Sequence, residues 1–233
     1  WRANLDWAAR LGYDATRLAA INRRAVDFVT GLADERPDLL SVVNGVIGPR
    51  GDGYVVGDTM SAAEAAAYHG LQARAFAEAG VQMISASTMT YAEEAIGIAR
   101  AGAAVSLPVV ISLTVETDGR LPSEQALGDA IAQIDAATDS YPAYYMVNCA
   151  HPTHFVTELD PAAAWVNRIH GVRANASALS HAELDAAIEL DRGDIAELSE
   201  LYRRLATLVD LRVVGGCCGT DAEHVTAMVG ALV

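Results

Sequence analysis

Apolar positions along the chain follow two periods in turn. Residues 4–38 carry them at three- and four-residue spacing, the period of a helix, with breaks at Gly12 and before Pro37. From residue 39 onward, short apolar runs alternate with longer amphipathic ones. The runs LLSVVNGVIGP (39–49), VQMISAST (81–88), PVVISLTVE (108–116), AYYMVNCA (143–150), GVRANAS (171–177) and LRVVGGCC (211–218) read as strands. Helical spacing occupies 61–80, 91–102, 123–138, 160–169, 180–190, 194–209 and 221–233. Ser61 followed by Glu64 marks a capped helix start.

Strands that alternate with helices, and are apolar enough to be covered on both faces, predict a parallel α/β sheet. No linker or shift in composition divides the chain, so residues 1–233 read as one domain. A dinucleotide fingerprint after a first strand is absent, which removes the simplest argument for an open doubly wound sheet. The expected architecture is a (β/α)8 TIM barrel of which about six units are visible. On that reading the chain starts inside the second unit and lacks the first one to two strands.

Charge narrows the function. Thirty acidic residues against sixteen basic ones leave a net charge of −14, which argues against nucleic acid or an anionic membrane surface as a partner. All sixteen basic residues are arginines. Without lysine there is no Schiff base, no lysine-held pyridoxal phosphate and no Walker-type phosphate lysine. Three cysteines are too few for a disulfide-stapled secreted domain, so the expected compartment is the cytoplasm. No apolar run is long enough to span a membrane. The sequence does not decide between a monomer and a homo-oligomer.

All three cysteines fall at strand ends. Cys149 closes YYMVNC, and Cys217 with Cys218 closes LRVVGGCC. In a barrel these ends share one rim, where active sites are built. Three protein ligands with one open position is the arrangement of a catalytic zinc. Gly215, Gly216 and Gly219 give the backbone the freedom that two adjacent ligands require. The competing readings are plain packing of three buried thiols and, less compatible with a reducing compartment, a vicinal disulfide. His151 and His154 follow Cys149 closely and read as loop residues beside the site, not as ligands. Glu93 and Glu94 open a helix and suit its dipole.

GGCCGT near the C-terminus, with NC at an earlier strand end, resembles the homocysteine S-methyltransferases. NGVIGPRGDGY is similar to the glycine–proline loop after that family's third strand. The resemblance implies a (β/α)8 barrel in which Cys149, Cys217 and Cys218 bind Zn2+. It further implies methyl transfer from a sulfonium or betaine-type donor to the thiol of homocysteine, giving methionine, with no catalytic residue beyond the metal site. Asn148 beside a ligand and Asn175 at a strand end are implied contributors to substrate binding.

The chain departs from the family pattern in two places. The family's opening Asp-Gly-Gly strand has no counterpart here. At the fourth strand, where the family has Glu-Thr and the glutamate holds the substrate ammonium, this chain has Ser87 before Thr88. A serine supplies no full charge, which removes a charge-assisted contact of about 1.5–3 kcal/mol. Glu116, after the fifth strand, is the expected replacement. The alternatives are a methyltransferase-like barrel acting on another thiol, and a non-catalytic zinc- or thiol-binding barrel.

Overall fold

A computed structural model describes all 233 residues. Its centre is a sheet of six parallel strands in chain order: β1 (Asn44–Ile47), β2 (Met83–Met89), β3 (Val109–Leu113), β4 (Tyr144–Asn148), β5 (Ile169–Ala174) and β6 (Val213–Gly216). Every neighbouring pair is parallel, as crossover helices demand. The six strands form a half-barrel, and β1 and β6 do not pair with each other.

Helices α1 (Leu5–Arg10) and α2 (Ala15–Asp34) precede the sheet, and α3 (Ala62–Glu78), α4 (Ala92–Ala104) and α5 (Leu127–Thr138) link its first four strands. α6 (His181–Ala186) and α7 (Ile195–Leu208) lie between β5 and β6, and α8 (Ala222–Leu232) ends the chain. Gly12, at φ +72°, makes the expected break between α1 and α2. Ser61 and Glu64 cap α3 reciprocally, as their spacing foretells. All five residues of β3 are buried, which explains its unbroken apolar run. No helix is long and apolar enough to cross a membrane.

Several boundaries differ from the sequence expectation; α5 starts at Leu127 and not at 123, and β5 runs Ile169–Ala174 and not 171–177. Leu39–Val43 are not strand: the ladder with β2 begins at Asn44, the Val43 N–H turns to the Gln82 side chain, and Leu40 is fully exposed. Residues 160–169 do not form a helix. Asp160 accepts the Ala162 N–H through its side chain and the Ala163 N–H through its carbonyl, and Val166 then bonds to Ala163. These are turns, and they run through a 3-10 segment (Val166–Arg168) directly into β5. The helix expected over 180–190 stops at Ala186, leaving Ile188 and Leu190 exposed.

α3 and α4 approach closely at Gly97. A Cβ there would lie 2.7 Å from the Ala66 nitrogen and 2.8 Å from the Ala65 carbonyl carbon, both backbone atoms that cannot swing aside. Gly97→Ala is therefore expected to destabilise the fold by about 1–3 kcal/mol, despite alanine's better helix propensity. Thermal unfolding should show a Tm several degrees lower; an unchanged Tm would mean that the two helices are not packed this tightly.

Candidate metal centre

A parallel sheet directs the ends of all its strands to one edge, and the site lies there. Thr88 is near the end of β2, Glu116 follows β3, Asn148 ends β4 and Cys149 follows it. Asn175 follows β5, and Cys217 and Cys218 follow β6. The three cysteine sulfurs lie within 4.8 Å of one another. Tetrahedral zinc with Zn–S bonds of about 2.3 Å separates its sulfur ligands by roughly 3.8 Å, so the cluster has the size the ion requires. No histidine or carboxylate belongs to it.

In this structure the Cys149 and Cys217 sulfurs are in disulfide contact across a Cα–Cα distance of 5.5 Å, and Cys218 is a free, exposed thiol. The sulfur pair thus joins two different loops and is not the vicinal pair that adjacency invites. The same three atoms serve either chemistry. Oxidation ties two of them together, and reduction frees three thiols, the chemical form that binds a metal.

Cys149 sits at φ +55°, a left-handed conformation uncommon for a residue with a Cβ. Its carbonyl explains how this is held, for three donors converge on it. Asn175 Nδ2 donates at 3.1 Å, His181 Nε2 at 2.6 Å and Thr114 Oγ1 at 3.4 Å. The other end of the Asn175 amide, Oδ1, accepts the Cys218 N–H at 3.1 Å. One buried side chain therefore fastens the Cys149 loop to the Cys218 loop. Asn175, expected from the sequence at the substrate site, also lines the cavity beside Cys218.

Asn148 is equally committed. Its Oδ1 accepts the Thr88 N–H (2.9 Å) and the Ser112 hydroxyl (2.6 Å), while its Nδ2 donates to Thr88 Oγ1 (2.8 Å). Thr88, a β-branched residue at φ +63°, is locked in place by this exchange, with its hydroxyl 3.8 Å from Cys149 Sγ. Ser87 is only partly buried, and its carbonyl accepts the Trp1 indole N–H. Glu116, one-third exposed, meets His181 Nδ1 through Oε1 at 2.9 Å.

Two site residues escaped the sequence reading. Tyr54, on the loop after β1, places its hydroxyl 3.8 Å from Cys218 Sγ and stacks on His181 with ring centroids 4.1 Å apart. Burial first, and then the neighbouring Cys218 sulfur, holds that hydroxyl protonated well above the usual tyrosine range. A cavity of about 250 Å3 opens beside these groups, with Leu184 and Leu190 on its far wall. The tyrosine in GDGY and the histidine in SHAEL carry no local signal; only the folded loops bring them together. His151 and His154 hydrogen-bond elsewhere, to Thr153 Oγ1 and the Ala178 carbonyl. Burial lowers the His151 pKa to about 4, with His154 adding to the shift.

Comparison with known proteins agrees with this geometry. Solved structures of the homocysteine methyltransferase MmuM from Escherichia coli share the fold. Its metallated and oxidized forms each match with a TM-score of 0.74 at 18% identity, covering 99% of this chain and 76% of that one. The apo form matches at 0.71 and 18% identity, covering 94% of this chain and 76% of that one. Among curated protein sequences none matches significantly. The family model for homocysteine S-methyltransferase matches residues 1–232. The chain belongs to the homocysteine S-methyltransferase family.

Proposed function

We propose that this protein transfers a methyl group from a sulfonium or betaine-type donor to the thiol of homocysteine in a zinc-dependent reaction. The observation that carries the reading is the convergence of Cys149, Cys217 and Cys218 on one strand-end edge, at separations a zinc ion can bridge. Family membership supports S-methyl transfer as the reaction class. The resemblance to the barrel of MmuM supports a (β/α)8 architecture, of which these six strands are part.

The three cysteines, once reduced, would hold the ion and leave its fourth position to a substrate sulfur. Bound there, zinc keeps a thiol ionised at neutral pH, where a free thiol of pKa near 8.5 is mostly protonated. The chain's own residues supply geometry. Asn175 fixes the spacing of Cys149 and Cys218, Thr114 and His181 hold Cys149 in its left-handed turn, and Asn148 sets Thr88 beneath it. Tyr54 sets its hydroxyl beside the exposed Cys218 sulfur. In the transfer, the acceptor sulfur forms a bond to the methyl carbon as the donor's C–S or C–N bond breaks. The donor leaves as a neutral thioether or tertiary amine, so no oxidant or reductant takes part.

Acceptor recognition rests on Glu116 in this reading. Its Oε1 faces His181, while Oε2 makes no hydrogen bond within the protein and is open to an ammonium group; Asp185 and Glu189 are further carboxylates, in the lining of the cavity beside Cys218. Ser87, uncharged where the family has a glutamate, favours a second reading in which the acceptor is a thiol without an α-ammonium group.

Two measurements separate these possibilities. Reduced, purified protein should carry close to one zinc per chain, and Cys218→Ser should abolish most methyl transfer to homocysteine. Well under one zinc per chain, with activity intact in Cys218→Ser, contradicts the reading. Glu116→Gln should raise the homocysteine KM about tenfold or more, the scale of a charge-assisted contact, with the donor KM unchanged. An unchanged homocysteine KM removes Glu116 from recognition and favours the other acceptor.

A further inference from the structure

Tyr54 reaches the sulfur cluster on a long loop, residues 48–61, that contains no regular secondary structure and has glycines at 48, 51, 53 and 57. Left free, such a segment samples many conformations, at an ordering cost of about 1–2 kcal/mol per residue. The structure shows what restrains it. Near its start the Arg50 N–H donates to Glu94 Oε1 at 2.7 Å, and near its end the Met60 N–H donates to the Tyr91 hydroxyl at 3.1 Å. Both acceptors belong to the N-terminal turn of α4, which follows β2 and therefore moves with Thr88.

Glu94 is an unusual residue to find in this place. Its side chain is 1% exposed, whereas Glu93 beside it faces solvent. The same Oε1 also accepts from His69 Nε2 at 2.9 Å, and that histidine is fully sealed with its Nδ1 left without a partner. Burying a carboxylate is costly unless it is hydrogen-bonded, and a helix N-terminus offsets only part of that cost. A helix start needs no such burial, because an exposed glutamate serves the dipole equally well. The arrangement does something that helix capping does not: it ties a loop backbone to the helix that continues from the site strand.

We infer that Glu94 is a positioning residue, which holds the 48–61 loop through the Arg50 N–H so that Tyr54 stays beside Cys218. Tyr91 secures the other end of the same loop. The inference adds a role to the site described above, but its test needs neither zinc nor methyl transfer.

With the Cys149–Cys217 contact oxidised, Cys218 is the free thiol, and its alkylation by iodoacetamide reports on whether the Tyr54 ring stays beside it. Tyr54→Ala and Glu94→Ala should each accelerate alkylation by about fivefold, the population change expected from losing one ordinary hydrogen bond. The double variant should react no faster than Tyr54→Ala alone, since both changes take the same ring away from the thiol. Glu94→Gln, which keeps an acceptor for the Arg50 N–H, should stay near the wild-type rate. Should Glu94→Ala fail to fold, Tyr91→Phe frees the other end of the loop and takes its place in the cycle. The inference is overturned if loop release leaves the alkylation rate unchanged, or if its effect multiplies with that of Tyr54→Ala.

Discussion

Asn175 joins the two cysteine-bearing loops through a single amide, and the geometry of the site depends on that clip. Its Nδ2 supports the Cys149 carbonyl and its Oδ1 takes the Cys218 N–H. Cys149 and Cys218 come from β4 and β6, which are not neighbours in the sheet; β5 lies between them and Asn175 follows it. Strand order thus puts the clip in the middle, and the amide converts three strand ends into one rigid unit. Buried, with both polar ends paired, it is at little energetic disadvantage and holds two backbones in register. Under the proposed zinc reading, loss of such an outer partner typically costs about 10–100-fold in metal affinity.

Around that unit the protein stores backbone strain locally. Thr88 and Cys149 both have positive φ; two hydrogen bonds with the Asn148 side chain of β4 hold the first, and Asn175, after β5, and His181, in α6, hold the carbonyl of the second. Non-glycine residues in this region cost of order 1–3 kcal/mol each, so the supporting network must outweigh that cost. What it secures is direction. The turn at Cys149 aims its sulfur toward the sulfurs of the β6 loop, and the turn at Thr88 brings its hydroxyl under the same sulfur. The loop after β1 adds Tyr54 beside the Cys218 sulfur and is bonded to the buried Glu94.

Much of this was legible in the sequence because its physical causes are local. Capping at Ser61, the break at Gly12 and the buried run of β3 follow from residue type and spacing. The cysteines could be placed on one edge because strand ends of a parallel sheet must share it. Other features had no local signature. The alanine-rich 160–169 stretch has helix propensity, yet Asp160 diverts it into turns just before β5. Glu94 reads as a helix-dipole residue until the packing of α3 against α4 seals it beside His69. Asn175 and His181 acquire their roles only by reaching a carbonyl 26 and 32 residues away in sequence. Side-chain reach across strands is a tertiary fact, and periodicity carries no record of it.

The central claim is that the three cysteine sulfurs form a metal site with one position kept for a substrate sulfur. X-ray absorption at the zinc edge tests it most directly. In the reduced, zinc-loaded protein it should show three sulfur neighbours at about 2.3 Å with one lighter atom, becoming four sulfurs when homocysteine is added. A shell dominated by nitrogen or oxygen, or a sulfur count that does not rise with homocysteine, would contradict the account.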